Sequence, residues 1–309
     1  MKIRTSPMPM KTLVASCIFL AAAASLRLGF GQNAAPGSLS VPQIFGPGIV
    51  STGHEFGLSF MPDAKEAYFT RFDADKKTNH IYRAIRVDGK WQDPTLVEFS
   101  NDSWRDLDAA VSPDGKELFF ISTRPKPGAP PNASANNMDI WVADRNGQGW
   151  NEPHWLDNVN SDAKEGSPSV DRDGTLYFFS DRGSSANSNS IYCAKQVNGK
   201  YSTPQRLPAE VNSGISDTSP FISPDGKTLL FYSSRPGGYG KGDLYVSFKK
   251  HGAWTPAINL GASVNTADSE YNPMVSPDGN YLYFGRNRNI YVVKLQSLGL
   301  KFLRPKLFR

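Results

Sequence analysis

Short apolar runs rich in β-branched and aromatic residues alternate with polar turns along this chain. The run Ser219-Pro-Phe-Ile-Ser-Pro-Asp-Gly-Lys-Thr-Leu-Leu-Phe-Tyr-Ser-Ser-Arg235 is representative: a polar turn at 223–226 separates two apolar segments, which predicts a β-hairpin. Pro224 presets φ at the first turn position, Asp225 suits the second, and Gly226 takes φ > 0 where the chain re-enters the strand.

The phrase recurs as Ser112-Pro-Asp-Gly115 and Ser276-Pro-Asp-Gly279, and more loosely as Asp171-Arg-Asp-Gly174 and Met61-Pro-Asp-Ala64. The turn aspartates, Asp63, Asp114, Asp173, Asp225 and Asp278, lie 51, 59, 52 and 53 residues apart. A period of about 50 residues made of short strands predicts propeller blades rather than a helical solenoid. Eight residues ahead of each aspartate stands an acid: Glu55, Asp106, Glu165, Asp217 and Glu270. Shortly after it stands an arginine: Arg71, Arg124, Arg182, Arg235 and Arg286. A third strand follows (His80-Ile-Tyr, Asp139-Ile-Trp, Ser190-Ile-Tyr, Asp243-Leu-Tyr, Asn289-Ile-Tyr), then an aromatic at Trp91, Trp150, Tyr201 or Trp254 with a proline close behind. Three copies continue into Val-Asn, at 159–160, 211–212 and 264–265.

Four strands per copy make one blade. The fold expected is all-β, a single five-bladed propeller of four-stranded blades, with repeats near 52–101, 102–160, 161–212, 213–265 and 266–294. Six blades with one degenerate copy is the alternative. The fifth copy lacks an outer strand, and segment 41–46 matches that strand elsewhere, so the N-terminus is expected to close the ring within a propeller spanning 41–298. Lys301-Phe-Leu-Arg-Pro305, in the basic tail 299–309, is the rival closing strand. Closure hides strand edges that would otherwise seed aggregation.

These marks resemble the WD-like Pro-Asp-Gly repeats of TolB-type β-propellers, over roughly residues 41–294. The resemblance implies a funnel that docks a segment of a protein partner. It does not extend to the N-terminal domain that TolB-type proteins carry, and the repeat family hosts many activities.

Residues 1–31 read as a secretory signal: Lys2, Arg4 and Lys11, then the apolar run Thr12 to Ala24, then small residues up to Gly31. The expected location is periplasmic or secreted, with a lipoprotein anchored at Cys17 as the alternative; residues 32–40 form a flexible lead. Removing 1–31 takes the formal charge from +5 to +1, and the last nine residues hold four more basic groups, leaving about −3 on the repeats. Nucleic-acid binding therefore has no basic face to rest on. No further run is long enough to span a bilayer after cleavage.

The five acids enter the innermost strands and are expected to face the central channel. Arginine pairing that pins the blades is one reading of them. The other is an incompletely paired cluster binding a cation, a sugar or a basic peptide. With His54 beside Glu55, and Tyr239 in the Gly-rich loop 236–242, the acids form the candidate ligand site at the channel mouth and rim; the five arginines are structural. The repeated aromatics are packing residues. No nucleophile elbow, phosphate loop, zinc spacing or calcium loop is present, so no cofactor, metal or catalytic residue is assigned. Cys193, in a third strand, reads as an inert thiol. The function expected is a monomeric binding module for a protein or an envelope glycan; the alternative is a carbohydrate-active enzyme using channel carboxylates.

Overall fold

The structure, a computed structural model, describes residues 39–73, 75, 77–130, 138–183 and 188–299. The segment expected to be a signal, Cys17 and the tail beyond 299 lie outside the described residues, as do parts of the insertions in blades II and III. Among the described residues no helix is long and apolar enough to cross a membrane.

Five small antiparallel sheets stand in a ring, a five-bladed propeller. Blade I comprises Glu55–Phe60, Glu66–Asp73, Thr78–Val87 and Thr95–Leu96. Blade II comprises Asp106–Val111, Glu117–Ser122, Asp139–Asn146 and His154–Trp155. Blade III comprises Glu165–Val170, Leu176–Ser180, Ser190–Ala194 and Gln205–Arg206. Blade IV comprises Asp217–Ile222, Thr228–Ser233, Asp243–Lys250 and Ile258–Asn259. In blade V, Tyr271–Val275, Tyr281–Arg286 and Asn289–Lys294 are completed by Gln43–Ile44, which pairs antiparallel with the third strand (Gln43 opposite Val292). The N-terminal segment therefore supplies the outer strand of the last blade.

The turn motif works through its serine. Ser223 Oγ donates to Asp225 and accepts from Thr228 N, while Gly226 N returns to Ser223 O at 2.8 Å and Gly226 holds φ at +68°. Blade III replaces that serine with Asp171, whose Oδ1 accepts from Asp173 N and Thr175 N. This side chain caps a turn. The repeated aromatics bridge neighbours: Trp150 donates to the Tyr68 hydroxyl of blade I at 3.1 Å, and Trp254 stands edge-on to Tyr177 of blade III. Such pairs add to the burial of their rings in the inter-blade core. Cys193 sits in its third strand, and burial pushes its thiol pKa up, away from reactivity.

Candidate functional site

First strands run from the acid to the Pro-Asp-Gly turn, and second strands run back to the arginine. The acids, the arginines and the loops between second and third strands therefore share one end of the ring. The turns occupy the other.

At the acid end every carboxylate has a partner. All five acids are 0% exposed. Arg71 meets Glu55 at 2.7 Å, Arg124 meets Asp106 at 2.8 Å, Arg182 meets Glu165 at 2.6 Å, Arg235 meets Asp217 at 2.9 Å and Arg286 meets Glu270 at 2.7 Å. Hydroxyls of Thr52, Ser100, Ser161, Ser213 and Thr266, on the linkers that enter each blade, donate to the same carboxylates. Each arginine also donates to a linker carbonyl, at Ile49, Phe99, Val159, Val211 and Val264, and lies over rings of its second and third strands, as Arg182 does over Phe178 and Tyr192. The Val-Asn mark belongs to the same clamp. Asn160, Asn212 and Asn265 accept from the third-strand N–H and donate to its C=O at Ile140, Ile191 and Leu244. Charge, hydroxyl and linker thus lock each blade to the chain arriving from its predecessor, and the desolvated ions are offset by charge-assisted bonds.

None of the five acids lines the central cavity. His54 does not line it either: its ring lies 6.3 Å from that of Phe72. Tyr239 is 54% exposed, in a loop tied down through the bond from its own N–H to Asp243. The structure brings these sequence candidates to one end of the ring and the open space to the other.

The cavity, of about 210 Å³, is walled by the inner strands from their midpoints to the turns. Every inner strand breaks register two residues after the ring position, where a bulge holds a residue at positive φ: Gly57 (+63°), Asp108 (+53°), Ser167 (+46°), Ser219 (+50°) and Asn272 (+47°). Bulges re-aim side chains, and these five form the floor. Sequence reasoning passed over them, although the signal was present. Two residues past each acid stands a type that tolerates the left-handed region or carries a short polar side chain.

The floor converges on Asp108. Ser167 Oγ donates to its Oδ2 at 2.6 Å, and Asn272 Nδ2 reaches its Oδ1 at 3.3 Å from blade V, across the ring. Asp108 N donates to Thr70 Oγ1 of blade I at 2.9 Å. Burial pushes the Asp108 carboxyl above its ordinary value, and the bonds from Ser167 and Asn272 pull the other way. Above the floor the wall is apolar and proline-rich, with Leu58, Ala109, Pro168, Pro220, Pro273 and Met274.

The sequence matches no protein-family model, and no curated protein is recognisably similar to it. Solved structures of similar shape include TolB from Acinetobacter baumannii (21% identity, TM-score 0.47), covering 78% of this chain and 54% of that one. A putative TolB from Agrobacterium tumefaciens (18%, TM-score 0.47) covers 75% and 69%, and a thermostable family-43 glycoside hydrolase (11%, TM-score 0.49) covers 78% and 88%. This chain therefore spans about half the length of the Acinetobacter protein. All three TM-scores lie under 0.5, so function is argued from the site itself.

Proposed function

We propose that this chain is an exported binding module that captures a protein or envelope ligand in the turn-end cavity and has no chemistry of its own. The observation carrying this reading is the contrast in carboxylate status. The five ring acids are each paired with arginine, hydroxyl and linker groups, so none of them is a free carboxylate of the kind that glycoside hydrolysis uses. The cavity instead offers an apolar wall over convergent polar groups, the ordinary make-up of a recognition site. The TolB-like repeat adds the expectation of a docked protein segment. Because the cavity is smaller than the ~300–1,000 Å³ that a drug-sized ligand fills, a side chain or chain segment suits it better than an oligosaccharide.

The test places a photo-crosslinking residue at Arg172, an exposed residue that lines the cavity at its turn end, and another at Tyr239, in full-length chain expressed with export. Adducts with one defined partner at position 172, and none at position 239, support the reading. Adducts at Tyr239 alone move the contact to the acid end, and release of reducing sugar from a polysaccharide panel favours the carbohydrate-active alternative. Export has its own check: a mature N-terminus at Gln32 supports it, and an intact Met1 contradicts it.

A further inference from the structure

Asp108 has two anchoring donors and no counter-ion. A carboxylate offers about four lone-pair sites, and Ser167 and Asn272 occupy two of them. No Lys or Arg among the described residues pairs with it. The only other charged residue lining the cavity is Arg172, in the blade III turn, whose backbone N–H is bonded to Pro224 O. Once Asp108 loses its proton the floor is an anionic point under apolar walls, and because burial disfavours that charge, an incoming cation is what would favour it. That layout matches a side chain with a long alkyl stem and a charged head, because lysine packs its methylenes on apolar surface while its ammonium seeks acceptors. A divalent cation fits less well: calcium takes six to eight oxygen ligands, where this wall presents Leu58, Ala109, Pro168, Pro220, Pro273 and Met274.

The geometry points to Asp108 as the receptor for an ammonium group, carried by a lysine of a polypeptide partner, with its stem held between the inner-strand prolines. This rests on the binding-module reading and specifies what that module selects. Ser167 and Asn272 position the carboxylate, and the ammonium completes its coordination. Gly57 keeps the approach open, since a Cβ there would stand 2.9 Å from Asp108 Oδ1.

The test titrates the full chain with Nα-acetyl-lysine methylamide, with the norleucine analogue that has the same stem and no charge, and with calcium chloride, following NMR shifts of the Ala109 and Ala110 methyl groups. The lysine probe is expected to bind at least tenfold more tightly than norleucine, with contacts from its terminal methylene to those methyls. Asp108→Asn, which keeps the side-chain shape, is expected to abolish the preference. Equal affinity for the two probes, no binding of either, or a preference that survives in Asp108→Asn overturns the inference. A response to calcium alone, lost in Asp108→Asn, also overturns it and makes the floor a metal site. If Asp108→Asn does not fold, the lysine–norleucine comparison and the methyl contacts on the unmodified chain still decide. Partner adducts at position 172 that persist in Asp108→Asn sink the ammonium site while leaving the binding module standing; absence of any adduct sinks the module itself.

Discussion

Glu165 and Asp108 are carboxylates on adjacent inner strands, and they face opposite circumstances. Glu165 accepts from Arg182, Ser161 and Ser180, and its ion is fully enclosed. Asp108 accepts from Ser167 and Asn272, neither of them charged, and its remaining surface borders the cavity. The first arrangement is complete and can only be broken. The second is incomplete and can gain from a ligand. Acid-rich composition alone is thus a poor guide to a site; the informative quantity is the balance of donors around each carboxyl.

The severest test of that contrast is Arg182→Ala. It strands a buried Glu165 carboxylate, and a loss of about 3–5 kcal/mol is expected from urea unfolding, as for other broken buried ion pairs. An unchanged midpoint would mean that Glu165 carries no charge, and the contrast would fail. Gly57→Ala forces a side chain into the left-handed region and against Asp108, with a loss of about 1–2 kcal/mol expected by the same measurement. It is also expected to weaken lysine-probe binding.

Acidity supplies the third test. The folded pKa of Asp108 lies above its value of 3.8 in the unfolded chain, so the folded state binds its proton more tightly. The stability of the native chain relative to Asp108→Asn should therefore fall as pH rises through the window above 3.8, by about 1.4 kcal/mol per pH unit within it. Below that window the difference is constant. The groups bonded to this residue (Thr70, Ser167 and Asn272) do not titrate, so the slope reports Asp108 itself. A flat difference between pH 4 and pH 8 would contradict the burial argument. The smallest effect is expected from Tyr239→Ala at the exposed loop, within about 0.5 kcal/mol in stability and with no change in probe binding. Loss of binding there would return the working face to the acid end.

The repeat made the architecture readable in advance. Ser223, Asp225 and Gly226 act through atoms two to five residues apart, so their hairpin is encoded locally. The acid–arginine pairing was also accessible, because partners 16 to 18 positions apart, such as Asp217 and Arg235, sit at the facing ends of a single hairpin. The match between 41–46 and other outer strands foretold closure by Gln43–Ile44. The sequence by itself determined the five-blade repeat and the strand order, since both depend on short-range patterning repeated five times, while it left open whether the acid ring is fully paired. That a cavity lies between the inner strands towards the turns, and that Asp108 rather than a ring acid meets that space, only the tertiary structure decided. The bulges at Gly57, Asp108, Ser167, Ser219 and Asn272 aim their residues at one another only after the ring has closed. The bond between Asn272 and Asp108 spans 164 positions and joins blades that are not neighbours in the chain. No local period encodes such a meeting, because it depends on the radius at which five twisted sheets close.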